Sequence, residues 1–340
     1  MNSFTYSRAT AVEDAVREKS THPDSAYIGG GTNLLDLMKE NVERPVHLVG
    51  LNKLPLTTIE PTPDGGLRLG ALATNADTAW NEEVKSRYPL LSQAILAGAS
   101  PQLRNMATDG GNLMQRTRCY YFYDTATPCN KREPGSGCSA IGGYNRIHAI
   151  LGASEQCIAT HPSDMCIALA ALEATVRVSG PNGDRTIAFE DFHRLPGNTP
   201  ERDNNLEPGE LITGLDLPAK GFEKNFTYLK LRDRTSYAFA VISVAAALEL
   251  EGDTITDARL ALGGVAHKPW RDKEAENLLK GPPATADTFR RAAAKVVEGA
   301  HGYEHNTFEI ELAKRAIVRA LKQAAEGTQQ ASDVFLNSNP

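Results

Sequence analysis

All five cysteines fall between Cys119 and Cys166, a window of 48 residues in a chain of 340. Its first part, CYYFYDTATPCNKREPGSGC (119–138), is rich in Gly, Pro and Asn and shows neither helical nor strand periodicity. An irregular segment of that length inside a compact domain is usually functional. The start, MNSFTYSRATAVEDAV, lacks the basic patch and apolar run of a secretory leader, so folding in the reducing cytoplasm is expected. Disulfides are disfavoured there, and an odd number of cysteines leaves no complete internal pairing. Clustered thiols in that setting point to a metal or to redox chemistry.

Charge narrows the function classes. The formal net charge is −6 with no long run of one sign, which excludes nucleic acid as the main partner, because a phosphate-binding face needs clustered Lys and Arg. No stretch approaches the length of apolar chain that a membrane span requires. The length suits two domains. Residues 8–19 read as an amphipathic helix, SAYIGGGTNLLDLMKE as strand, glycine turn and helix, and PVHLVGL as a buried strand. Asp64-Gly65-Gly66 and Asn182-Gly183 mark two hairpins. SDMCIALAALEA is a helix with Ser163 or Asp164 near its N-cap. AKGFEKN breaks the pattern, which places a boundary so that residues 1–222 form one domain (subdomains about 1–55 and 56–222) and 223–330 a second, with a tail at 331–340. In the second domain, strands near 226–232, 239–250 and 256–264 precede a helical stretch over 270–327.

GGGTN at 29–33 lies between a strand and a helix, where glycines let backbone N–H groups approach a phosphate. The Rossmann scheme is not met, because Asn52 stands where its ribose-binding acid belongs. A second loop, ATDGGNL at 107–113, again joins glycines to small polar side chains. Two such loops can close on one pyrophosphate from both sides, which makes a dinucleotide bound outside the Rossmann scheme plausible.

YIGGGTNLL, TDGGNL, HPSD, LEPGELITGLDLP, YLKLRDRTSYAFAVISVAAAL and ARLALGGVAHKPWR occur in that order. Together, over nearly the whole chain, they resemble the FAD-binding medium subunit of the xanthine dehydrogenase and aldehyde oxidoreductase family of molybdenum hydroxylases. The resemblance implies an α+β fold. Two subdomains of the vanillyl-alcohol-oxidase or CO-dehydrogenase-flavoprotein type would clasp FAD, followed by a three-stranded sheet with a helical bundle. It also implies that Ile28, Gly29, Gly30, Gly31, Thr32, Asn33 and Leu34 wrap the diphosphate, and that Thr108, Gly111 and Asn112 complete the cradle. Asp164 would bond the ribose or adenine side, Ile212 would lie against the flavin or adenine, and Lys230 would sit near the isoalloxazine ring. A cation there favours reduced flavin. Read alone, Asp164 is equally a helix cap and Lys230 a solvated strand residue.

The cysteine insertion, about 116–158, is absent from most of that family. The closest likeness is to FAD subunits of bacterial periplasmic aldehyde oxidoreductases, which carry such an insertion with a 4Fe–4S cluster. Its ligands would map to Cys119, Cys129, Cys138 and Cys157. Nine, eight and eighteen intervening residues suit a cube held by a loop better than a compact zinc knuckle. Zinc on the same thiols, and Cys166 in place of Cys157, remain alternatives. Arg116, Arg118, Lys131, Arg132 and Arg146 would offset the cluster's charge. Gly135, Gly137, Gly142 and Gly143 would offer N–H groups to sulfur, and the aromatic run Tyr120–Tyr123 would shield one face.

The resemblance implies an electron-transfer subunit of a molybdenum-dependent aldehyde oxidoreductase. A large molybdopterin subunit would hydroxylate the substrate, and a small subunit with two 2Fe–2S clusters would feed FAD, which passes electrons to an external acceptor. It further implies export to the periplasm already folded, on a partner's signal. Alternatives are the FAD subunit of a xanthine dehydrogenase-like or aromatic hydroxylase complex, an assembly subunit with a structural cluster, and a self-sufficient flavin oxidase, for which no acid/base constellation is visible. HGYEH at 301–305 fits a metalloprotease pattern, but Gly299 and Gly302 weaken the helix that it needs.

Overall fold

A computed structural model describes residues 1–327. It contains three sheets. The first is parallel, β1 (Thr5–Arg8), β2 (Ser25–Ile28) and β3 (His47–Gly50) in the order β1-β3-β2. Parallel neighbours need crossovers, and the helices Val12–Thr21 and Leu34–Lys39 supply them. The expected helix over 8–19 therefore starts later, because Arg8 ends a strand paired with Gly50.

The second sheet holds β4 (Ile59–Pro61), β5 (Leu67–Gly70), β6 (Thr175–Gly180), β7 (Gly183–Ala188) and β8 (Leu211–Leu217) in the order β4-β5-β8-β6-β7. Both anticipated hairpins form, with Gly65 and Gly183 at φ +83° and +100° in the left-handed region that glycine tolerates. Between β5 and β6 the chain leaves the sheet through short helices and the cysteine segment. It returns along the helix Asp164–Ala171, whose every residue is buried.

The third sheet is antiparallel, β9 (Asn225–Leu231), β10 (Ile242–Glu251), β11 (Thr254–Gly263) and β12 (Trp270–Arg271), in the order β12-β11-β10-β9. The three long strands match the expectation. The fourth arises because Trp270 and Arg271 pair with Leu262 and Ala261 before the helical stretch begins. Period-two alternation splits this sheet's side chains between two cores. Phe226, Tyr228, Ala245, Ala247 and Ala261 join the core that contains the helix Asp164–Ala171. Val244, Ala246, Leu248, Leu260 and Leu262 join a core with the helices Lys273–Leu279, Ala286–Val296 and Phe308–Glu326. Among the described residues no helix is long and apolar enough to cross a membrane. The expected tail at 331–340 lies outside them.

Candidate cofactor site

The two glycine loops meet backbone to backbone. β2 ends at Ile28 and runs into Gly29–Gly31, with Gly31 at φ +71°. Opposite stands Thr108, whose Oγ1 accepts the Gly111 amide at 3.2 Å and caps the turn Asp109–Leu113. A Cβ on Gly30 would sit 1.9 Å from the Met106 carbonyl oxygen, and one on Gly29 would sit 3.0 Å from Thr108 Oγ1. Only glycine permits that approach. The loops form a neck between two chambers of about 460 and 710 Å³, and Gly29, Asn33, Thr108 and Gly111 line both. No side chain shared by the two chambers is charged, so amides and small polar groups make the waist. An elongated ligand with an anionic middle fits such a cradle.

The smaller chamber has a buried ion pair in its wall. Tyr228 and Lys230 share one face of β9. Lys230 Nζ lies 2.7 Å from Asp164 Oδ2 and 3.1 Å from the Ala97 carbonyl. Tyr228 donates its hydroxyl to Asp164 Oδ1 at 2.7 Å. Burial, with the Asp164 charge beside it, holds the Tyr228 phenol far above its ordinary range. The N-cap of the helix is Ser163, which accepts the Cys166 amide at 3.0 Å, so Asp164 is freed from capping to hold Lys230.

Behind the neck runs a network that sequence reasoning missed. Asp109 is fully enclosed, accepting from Asn75 Nδ2 at 2.7 Å and Thr78 Oγ1 at 2.5 Å. Asn75 Oδ1 accepts from Asn112, whose own Oδ1 accepts from Ser163 and Gln115. Burial pushes the Asp109 carboxyl up to about 7. The adjacent TDGGN motif was the signal available, but its acid reads as an N-terminal helix residue until the fold buries it. Arg118, Tyr237 and Phe239 also line the smaller chamber, with the Arg118 guanidinium 4.9 Å from the Phe239 ring centre.

Gly30, Gly31, Thr32, Asn112, Asp164 and Lys230 border the smaller chamber, and Leu34 and Ile212 the larger. Ile28 borders neither. The resemblance sent Asp164 toward the ribose or adenine and Lys230 toward the isoalloxazine, whereas the structure joins the two in one chamber, with Ile212 in the other.

Cys119, Cys129, Cys138 and Cys157 line a single small pocket, and Cys166 is elsewhere, inside its helix. None is in a disulfide. Cys129 and Cys138 face one another across an isolated antiparallel bridge. Burial pushes the Cys119 thiol up to about 12 and that of Cys157 to about 11. The Phe122 and Tyr121 amides reach Cys119, and the Ala159 amide reaches Cys157 Sγ at 3.4 Å. His148 Nε2 stands 3.1 Å from Cys119 Sγ.

The supporting residues expected around the thiols are mostly engaged otherwise. Arg116 pairs with Glu43 and Asp203, Arg146 with Asp233, and Arg132 with backbone carbonyls of Tyr121, Phe122 and Thr127. Lys131 is buried and paired with Asp203, yet it still lowers the Cys157 pKa against burial. Gly137 donates to Asn130 Oδ1 rather than to sulfur, and Gly143 is needed where the Tyr121 hydroxyl leaves no room for a Cβ. The N–H donors come instead from residues two or three positions after the cysteines. Of the aromatic run, Phe122 is fully buried and Tyr120 is exposed.

Residues 2–220 match the family described as FAD binding domain in molybdopterin dehydrogenase, and residues 226–324 the CO dehydrogenase flavoprotein C-terminal domain. The chain is 50% identical to the aldehyde oxidoreductase FAD-binding subunit PaoB of Escherichia coli (strain K12), over 95% of this chain and 99% of that one. It is 29% identical to the glyceraldehyde dehydrogenase medium chain of Sulfolobus acidocaldarius, over 86% of each. A carbon monoxide dehydrogenase from Hydrogenophaga pseudoflava superposes with a TM-score of 0.75 at 25% identity, covering 95% of this chain and 97% of that one. Quinoline 2-oxidoreductase of Pseudomonas putida 86 shares the fold with a TM-score of 0.73 at 23% identity, covering 96% and 98%. With this fold and two chambers joined at a glycine neck, the chain belongs to the FAD-binding subunits of the molybdenum hydroxylases, a family of oxidoreductases.

Proposed function

We propose that this chain is the FAD- and 4Fe–4S-carrying electron-transfer subunit of a molybdenum-dependent aldehyde oxidoreductase. The observation that carries the reading is the convergence of Cys119, Cys129, Cys138 and Cys157 on one pocket beside a two-chambered FAD fold. Four thiolates supply one ligand per iron of a cube. Tetrahedral zinc would draw four sulfurs to about 3.8 Å of one another. Among the described residues these thiols form no group of three or more within 4.8 Å, which favours the larger cluster. The aldehyde class rests on the PaoB likeness.

Bound FAD supplies the exchange between one-electron donors and a one- or two-electron acceptor. This chain's residues bind and orient it. Backbone amides of Gly29 to Leu34, with Thr108, Gly111 and Asn112, hold the diphosphate at the neck, and Ile212 gives an apolar wall. Lys230 borders the smaller chamber, where a cation would favour an anionic ring, and Asp164 fixes its position. Arg118 lines that chamber and precedes Cys119, so the thiol loop touches the flavin site through one peptide unit. A small 2Fe–2S subunit, itself fed by a large molybdopterin subunit, would be the electron donor, and an external acceptor would take the electrons on. On this reading the assembled complex would reach the periplasm by co-export with a signal-bearing partner and otherwise stay in the cytoplasm, which cell fractionation checks.

Anaerobic purification followed by iron, sulfide and flavin analysis tests the reading. About four irons and four sulfides per FAD are expected. Cys129→Ser should lose the iron, and Cys166→Ala should keep it. Flavin with zinc, or with no metal, would remove the cluster and leave the flavoprotein.

A further inference from the structure

Cys166, the cysteine outside the thiol pocket, meets two histidines in the interior. Its sulfur, a ring nitrogen of His161 and a ring nitrogen of His193 all lie within 4.8 Å of one another, and all three residues are buried. We propose that these side chains form a site for one soft transition-metal ion, Cu(I) by preference, separate from the flavin chambers and from the four-thiol pocket.

The nitrogens carry the argument. His193 Nε2 lies 3.0 Å from the Leu113 carbonyl, which can only accept, so the ring proton sits there and Nδ1 keeps its lone pair. Among the described residues that Nδ1 has no partner, and neither has His161 Nε2. Buried polar atoms are normally satisfied, and here even the neighbouring thiol donates to neither ring. A backbone carbonyl on the far nitrogen is the support that a metal-bound histidine usually has. The backbone fixes all three positions: the His161 amide donates to the Ala266 carbonyl at 3.0 Å, the Cys166 amide to Ser163 Oγ at 3.0 Å, and His193 bridges Asn204. The rings are inclined at 49° with centres 4.2 Å apart.

Donor type and charge select the ion. One thiolate and two imidazoles suit a soft or borderline metal. Cu(I) with a thiolate is neutral overall, whereas Zn²⁺ would leave a net positive charge in the interior and call for a fourth ligand. The nearby carboxylate, Asp203, is already committed to Arg116 and Lys131. Binding exchanges the Cys166 thiol proton for the ion, the proton leaves to solvent, and no electron is transferred. His193 also borders a pocket of about 140 Å³.

The test titrates Cu(I) anaerobically against a competing chelator into protein that retains its flavin and iron. Wild type should hold one equivalent, and Cys166→Ser and His193→Gln should each lose it with flavin and iron content unchanged. If either variant fails to fold, X-ray absorption on the wild type with one equivalent decides: one sulfur and two nitrogen neighbours support the site. Two or more sulfurs would put the ion on the loop thiols and overturn it. Retention in both variants equal to that of wild type, no retention by wild type, or zinc held in place of Cu(I) would also overturn the proposal.

Discussion

Asp109 sits behind the glycine neck, where among the described residues no cation pairs with its carboxylate and Asn75 and Thr78 are its side-chain donors. Burial is the largest influence and raises its pKa from an ordinary 3.8 to about 7, against the two hydrogen bonds, with Asp77 adding to the rise. The folded chain then keeps a proton at pH values where the unfolded chain has released it. The stabilisation is complete below about pH 4 and is lost as pH rises through about 7. Asp109→Asn cannot ionise, and the Thr78 hydroxyl can rotate to meet its amide. Urea unfolding at pH 5 and pH 8 should show the variant gaining roughly 2–3 kcal/mol on wild type between the two. An equal gap at both pH values would mean that Asp109 does not change its protonation in this range.

At the scale of elements, the neck is the most demanding local geometry. A methyl group on Gly30 would collide with the Met106 carbonyl, and both loops are pinned, one by β2 and the other by the Thr108 cap. Gly30→Ala must spread the loops, and FAD retention should fall by about tenfold or more, equivalent to about 1.4 kcal/mol. Gly142→Ala, with nothing within 4 Å of its added Cβ, should retain FAD like wild type. Equilibrium dialysis against FAD reads both. Equal retention in the two variants would show that the neck does not touch the cofactor. Glycine pairs beside small polar residues are legible in the sequence because the constraint is local: few residues other than glycine permit such an approach. The hairpins at Gly65 and Gly183 are legible for the same reason. The Asp164–Lys230 pair is not, since it joins a helix start to a strand 66 residues later and depends on which face of β9 turns inward. The cations of the cysteine segment mislead in the same way. Arg116 lies close to the thiols in sequence, yet its partners Glu43 and Asp203 are 73 and 87 positions away. Cys166 resembles an ordinary buried thiol until the fold delivers His193 to it from 27 residues downstream.

At the scale of the whole molecule, the third sheet ties the chain together. One of its faces completes the core around the helix Asp164–Ala171, and the other closes on the C-terminal helices. β9 thus presents Phe226 and Tyr228 to the first core while Lys230, on the same strand, reaches the smaller chamber. The part of the molecule that supplies the glycine neck cannot melt without exposing the apolar face of this sheet. Unfolding of either part therefore removes support from the other, and cooperativity follows from shared burial. Calorimetry of flavin-free protein should give one transition rather than two. FAD bound as proposed would touch the glycine loops and Lys230 of β9, so it should raise this transition without splitting it. Free FAD at 100 times its dissociation constant adds about 2.7 kcal/mol, a shift of several degrees. Two resolved transitions, of which FAD moves only one, would show that the sheet rests against the first core without being part of it.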